Sequence, residues 1–339
     1  MTGAETVQSL NCVNYAGMLY NRANIDTPFL NAISGKRYYV QSNEFITGQY
    51  YSSEEGDIPS VSETASLTAP TATFVTRTQM KNCTMAIHET VSISYRKQSN
   101  TAMLAGLNLA GQNANPIDEK NFQITQKFHK IKRSIEKTCI MAEYHVAEND
   151  NDPAQTRGMN EAITSNVINA GGKVLDIWVV NDLLTKIKEN RGDISSLVLW
   201  VNTVNLNQLA GNAVEYGMKM GDAYMSAYGV QIRDLILPIG TIHVALGEFI
   251  PEGTVFAFNF NVIGLVEQPV PNKGNFFYEP LAKTGAGEKG QIYGQFGLDH
   301  GPEWMHGKIT GLSTEFVKPV GQKVVMVQEV APTTPEVSG

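Results

Sequence analysis

Residues Phe45 to Thr76 read FITGQYYSSEEGDIPSVSETASLTAPTATFVT. Both ends carry the Tyr, Phe, Val and Thr of β-strands, but the middle is Ser, Glu, Gly, Asp and Pro and offers a core almost nothing apolar. Lys36 to Tyr51 and Thr71 to Met80 are therefore expected as strands, joined by a tip well beyond the usual hairpin loop of about 2 to 5 residues. At roughly 3.3 Å per residue, arms of about fourteen residues reach on the order of 45 Å, more than a compact domain's radius. Taken alone, the stretch fits a disordered insertion; as an ordered hairpin it needs a neighbour to pack on.

Its flanks narrow the choice. On the C-terminal side Met85, Ile87, Val91 and Ile93 alternate with Thr84, His88, Thr90 and Ser92, which predicts a half-buried strand with one misplaced residue, Glu89. On the N-terminal side residues 1 to 36 carry only scattered apolar positions and read as an arm, with Asp26 and Thr27 before Pro28 as turn or cap residues.

A second strong signal begins at Asn115-Pro116-Ile117-Asp118-Glu119, with Asn115 placed as N-cap, Pro116 at the first helical position and acids in the first turn. Phe128, Ile131, Ile135, Cys139 and Ala142 follow at spacings of three and four, predicting a helix to about Val146, near 30 residues and roughly 45 Å long. Between residues 120 and 137 its polar side holds Lys120, Lys127, Lys130, Lys132, Arg133 and Lys137 against one acid, Glu136. Lys130, Arg133 and Lys137 share a face with Lys127 close by. That face is either an ordinary solvated surface or a docking strip for phosphates or for a carboxylate-rich loop. The hairpin is such a loop: from Gln41 to Thr76 it holds Glu44, Glu54, Glu55, Asp57 and Glu63 and no Lys or Arg.

Beyond Asn149–Pro153, a turn, the pattern is mixed. Gly158 to Ala170 is expected as a helix ending at Gly171-Gly172, Asn181 to Asn190 as a helix stopped by Gly192, and Ser196 to Val201 as a strand leading into Asn202 as N-cap. From Val230 onward strands dominate, and APTTPEVSG at the end is expected to be a disordered tail.

The chain's 339 residues, 42% of them hydrophobic, permit a substantial core, and a net charge of -7 argues against a general nucleic-acid coat. Cys12, Cys83 and Cys139 stand far apart, as free thiols in a reducing compartment do, so the Asn82-Cys83-Thr84 sequon is expected to be coincidental. No signal peptide or apolar run of about 20 residues is present. Gly285-Ala286-Gly287-Glu288-Lys289-Gly290 matches a dinucleotide fingerprint but lacks the strand, turn and helix around it. Asp299, His300, Glu303 and His306 are the densest group of candidate metal ligands, yet their spacing fits no zinc motif and Pro302 disfavours the helix that would align them. A turn between strands is the plainer expectation. No nucleophile elbow and no convincing pair of carboxylates is found, so neither catalytic residues nor cofactors are assigned.

In this order the elements resemble a known family, the major capsid proteins of tailed bacteriophages, whose fold is shared with herpesvirus floor domains and encapsulin shells. The resemblance runs from NRANIDTPFLNAISGK (Asn21 to Lys36) through the hairpin and basic helix to LWVNTVNLNQLAG (Leu199 to Gly211). It closes on FFYEPLAKTGAGEKGQIYGQFGLDHGPEWMHGKITGL (Phe276 to Leu312). It implies an α+β tailed-phage capsid fold: N-terminal arm 1–36, extended loop 37–94, peripheral domain 95–172 with spine helix 118–147, axial domain 173–262, a return to the peripheral domain over 263–330, and a tail 331–339. It also implies a structural protein rather than an enzyme, self-assembling into hexamers and pentamers of an icosahedral shell around packaged double-stranded DNA. The virion would be assembled in the host cytoplasm, with scaffold, portal and decoration proteins as possible partners and no membrane. Because the sequence starts almost directly with the arm, an N-terminal scaffolding domain is not expected. An encapsulin-like cargo shell is the alternative, and an enzyme with an unrecognised site the remoter one. The acids Glu44, Glu54, Glu55, Asp57 and Glu63 are the expected contacts to the next subunit; Lys127, Lys130, Arg133 and Lys137 are the expected surface for that neighbour or for DNA.

Overall fold

The computed structural model describes residues 14–15, 26–51, 58, 60–69, 72, 74–99, 103–104, 119–215, 221–225, 231–283 and 285–315. In chain order the elements are β1 (Asn14–Tyr15), α1 (Pro28–Ile33), β2 (Arg37–Tyr39), β3 (Glu44–Tyr51), β4 (Arg77–Cys83), β5 (Met85–Ser94), α2 (Tyr95–Gln98), β6 (Met103–Leu104) and α3 (Glu119–Met141). There follow α4 (Met159–Ala162), β7 (Val167–Asn169), α5 (Ile177–Glu189), β8 (Leu197–Val201) and α6 (Thr203–Glu215). The rest is strands: β9 (Tyr224–Met225), β10 (Gln231–Leu237), β11 (Gly240–Leu246), β12 (Val255–Asn259), β13 (Gly264–Glu267), β14 (Phe277–Pro280), β15 (Gly287–Asp299) and β16 (Gly307–Thr310). β1 and β6 form a small parallel pair of their own.

A seven-stranded mixed sheet, ordered β7-β16-β12-β8-β11-β10-β9, separates two apolar cores. The period-two alternation of its strands feeds both. Leu197, Leu199 and Val201 of β8 and Val255 and Ala257 of β12 face one core. There they meet the 177, 180, 184 and 187 face of α5 and Leu209 of α6. Trp200, Phe256 and Phe258 point the other way, into a core shared with α1 and α3. α6 starts where the sequence predicts, with Asn202 Oδ1 accepting from the Asn205 amide at 2.8 Å. The sheet takes β7 and β16 from outside the 173–262 segment.

In the second sheet β15 is the organising strand. It pairs antiparallel with β14 and β13 and along ten residues with β5, while β13 pairs parallel with β2. α3 lies across it, burying Ile131, Ile135, Cys139 and Ile140. α1 closes the core with Phe29, whose ring meets Trp200, Phe258 and Phe260 edge-on at centroid distances of 6.1, 5.6 and 5.7 Å.

Several expectations are corrected. The long helix ends at Met141 rather than Val146, giving 23 described residues and about 35 Å. Gly158 sits so close to its last turn that a Cβ there would come within 2.9 Å of the Thr138 and Ala142 carbonyls. The Gly158 amide donates to Ala142 O and draws the chain back along the helix. The start at Asn115–Asp118 lies outside the described residues. Gly158 to Ala170 is not one helix. Only four residues of α4 are helical, because Asn166 spends its side chain on Trp304 and His306 carbonyls and β7 pairs with β16. Gly171 and Gly172 turn the chain at φ +61 and +80. Lys36–Tyr51 is two strands, broken at residues 40–43, and the returning arm of the hairpin begins at Arg77, six residues later than Thr71.

Candidate assembly interface

Glu89, the misplaced residue of β5, faces α3 and not solvent. Its Oε2 accepts from Lys127 Nζ at 2.8 Å, and its Oε1 from Lys130 Nζ. Burial pushes the carboxyl up, but these two ammonium groups outweigh that and hold it below the usual carboxylate range. Lys120 forms a similar tether to Glu288 of β15 at 2.9 Å. Much of the basic side of the helix is therefore turned onto acids of its own sheet. Arg133, half-buried, and Lys137, exposed, lie on the ridge continuing from Lys130, away from buried Ile131, Ile135 and Cys139.

β3 and β4 pair from Glu44↔Cys83 to Tyr51↔Arg77, forming the base of the expected hairpin. Glu44 is held by Lys81 of the same hairpin at 3.3 Å, and Glu63 is exposed. Glu54, Glu55 and Asp57 lie outside the described residues. What the sequence reading missed is the apolar content of the extension: Ile58, Leu67 and Phe74 are 92%, 84% and 88% exposed, and Val61 and Val75 are exposed with them. Isolated exposed apolar residues need no explanation, but five large ones between residues 58 and 75 make a candidate contact surface. The signal was in the sequence, dispersed among Ser and Thr without the period that would expose it.

The hairpin root is clamped to the corner between β15 and β16. Thr47 Oγ1 donates to Asp299 Oδ1, and the Tyr50 ring meets Trp304 edge-on at 4.4 Å. Between them Gly48 has φ +59 beside a register shift, and a Cβ there would come within 2.9 Å of Gly301 O. Only glycine takes that conformation and that approach without strain. On the returning arm Asn82 is fully buried. Its Nδ2 donates to Leu298 O at 2.7 Å, and its Oδ1 accepts from the amides of Arg157 and Cys83 and from Thr156 Oγ1. A side chain so enclosed has no room for a glycan, as the sequence reading expected of the sequon.

The other lookalikes also resolve into structure. Gly287 and Gly290 lie in strand β15. Glu303 Oε2 accepts from the amides and hydroxyls of Thr164 and Ser165, strapping the corner to the segment before β7. His306 is saturated: Nδ1 accepts from the Asn259 amide and Nε2 donates to His300 O. Among the described residues no group of His, Cys, Asp or Glu is arranged to hold a metal ion, and no helix is long and apolar enough to cross a membrane. Cys83 and Cys139 are free and buried.

Comparison with known families bears on this arrangement directly: the family model "SU10 major capsid protein" matches residues 1–313. The chain belongs to the SU10 major capsid protein family. It is accordingly a structural, shell-forming component of a phage virion. Solved capsids agree in fold. The cyanophage A-1(L) capsid protein is 12% identical, with 92% of this chain and 99% of that one covered at a TM-score of 0.60. The cyanophage P-SCSP1u capsid covers 89% and 92% at 9% identity and 0.56. The SrpI encapsulin of Synechococcus elongatus is similar at 9% identity, covering 89% and 95%, with 0.56. No curated protein sequence matches the chain. Phage shells and an encapsulin share this fold to the same degree, so it is the family match that separates a capsid from a cargo compartment.

Proposed function

We propose that this major capsid protein tiles an icosahedral shell as hexamers and pentamers around double-stranded DNA, and that the 44–83 hairpin is its clasp on the next subunit. On this reading the virion is assembled in the host cytoplasm and the chain's role is structural. The observation that carries the clasp is the exposure of Ile58, Val61, Leu67, Phe74 and Val75, which nothing among the described residues of their own chain covers. Such side chains are stable in water-exposed positions only at a cost of about 1.5–3 kcal/mol each relative to burial, and a second copy removes that cost. The acids Glu54, Glu55, Asp57 and Glu63 would steer register rather than supply strength, since exposed ion pairs contribute about 0–1 kcal/mol each. Glu89 engages Lys127 and Lys130, so exposed Lys137 carries more of any contact with a neighbour's acids or with DNA phosphate. Electron microscopy of the purified protein tests this reading. Closed shells or capsomers are expected from the wild type, and Leu67→Ser with Phe74→Ser should yield folded, unassembled subunits. Normal shells from the double variant would refute the clasp.

A further inference from the structure

His300 is fully buried beneath the hairpin root. Its Nδ1–H donates to Gly301 O at 2.7 Å, while Nε2 is buried without any hydrogen-bond partner among the described residues. A Cβ on Gly48 would lie 3.4 Å from its Cε1, so the ring is part of the surface on which the root bulge rests. The carbonyl of His300 accepts from His306 Nε2, and His306 in turn holds the Asn259 amide at the end of β12. The two imidazoles thus connect the hairpin's seat to the seven-stranded sheet. Asp299, on the same corner, receives both Thr47 Oγ1 and the Gly301 amide.

We propose that this corner, residues 297–306, is an acid-sensitive seat for the hairpin, and that protonation of His300 beneath Gly48 loosens the root from the body of the subunit. The neutral ring needs only one donor partner and has it. The imidazolium adds an N–H at Nε2, buried with no acceptor, and a charge inside a closed corner. The charged groups that bear on it are Asp299 and Glu303, which favour the cation, and Arg157, which opposes it; burial is the largest influence and lowers the affinity for the proton. For His306 burial dominates likewise, opposed by its bond to the His300 carbonyl and by Glu303 and reinforced by His300, with the net result about 4.

The sign follows from linkage. Groups that bind protons more weakly folded than unfolded give stability that is complete above their ordinary value of 6.5 and lost as pH falls toward the lowered one. The loss should be local, because Thr47, Gly48 and Tyr50 bear on this corner while β11 lies two strands in from β12, the strand that His306 holds. Loosening the root frees the clasp's direction without unfolding the subunit, which would couple acidity to how one copy holds the next. That last step rests on the clasp reading; the seat itself does not.

Amide hydrogen exchange on the full-length protein tests the seat. Between pH about 7 and about 4.5, protection factors in 44–51 and 77–83 should fall at least about tenfold while those in 199–201 and 240–246 hold. His300→Asn, which keeps a donor for Gly301 O but cannot charge, should abolish the selective loss. Equal acid loss in His300→Asn, or undiminished root protection in the wild type at the lower pH, would overturn the proposal. Should the variant fail to fold, imidazole C2–H exchange in the wild type decides. A His300 titration below 6.5 supports the seat and one at or above it refutes it. Root loosening with unchanged assembly would leave the seat standing and count against the clasp instead.

Discussion

Glu89 and Lys127 lie 2.8 Å apart, joining β5 to the long helix α3, and Lys130 closes on the same carboxylate. One acid in the apolar alternation of a strand and two bases on a helix that looked uniformly basic are thus a single interaction. Glu89→Gln leaves both ammonium groups without their counter-charge and should cost about 1–2 kcal/mol, reduced from the value of a buried pair because the lysines are partly solvated. Chemical unfolding at neutral pH measures it. Since the Glu89 carboxyl binds its proton more weakly folded than unfolded, its contribution is present above the ordinary carboxylate range and is lost as pH falls through its lowered value. The variant should lack that acid-side loss.

Glu136 behaves in the opposite sense. It is fully buried against α1, its Oε2 accepting weakly from the Leu30 amide at 3.5 Å while Oε1 has no partner among the described residues. Burial pushes its carboxyl up to about 8; the Leu30 and Phe29 amides offset part of that, and Asp26 and Glu248 add to the rise. Its contribution is therefore complete below 4.5 and declines as pH rises toward 8. Glu136→Gln should flatten this decline and be the more stable protein at pH 8 by on the order of 1 kcal/mol. Thermal unfolding across that range shows it, and a variant less stable than wild type at pH 8 would contradict the assignment.

Phe29 is the anchor of α1. Truncation to Ala removes three edge-on ring contacts and opens a cavity beside Trp200, for an expected loss of about 3–5 kcal/mol in equilibrium unfolding.

Asn82→Ala strips Leu298 O and the Arg157 amide of their buried partner. A loss of about 3 kcal/mol is expected, with the largest exchange increase at the hairpin root rather than in the seven-stranded sheet.

Much of the fold was legible because its signals are local. The alternation of 85–93, the apolar spacing of 128–139 and the Asn202 cap each need only a few residues to be read, and each appears as expected. What escaped depends on contacts distant in sequence. Glu89 looked wrong because its partners are 38 and 41 residues away. The stretch 158–170 carried helix composition, but the Asn166 and Glu303 bonds, about 140 residues long in sequence, claimed it for β7 and the corner. At the hairpin, charge was conspicuous and scattered apolar side chains were not, so the sequence pointed to acids where the structure exposes Leu67 and Phe74. The clamp of Thr47, Gly48 and Tyr50 has no sequence signature beyond one glycine in a strand.

A hairpin that clasps the next subunit has its apolar residues covered by a second copy. Hydroxyl-radical footprinting of intact particles against dissociated, folded subunits measures this side chain by side chain. Strong protection of Ile58, Leu67 and Phe74 in particles, with high reactivity in free subunits, is the predicted result. Equal reactivity of these three in both states would contradict it.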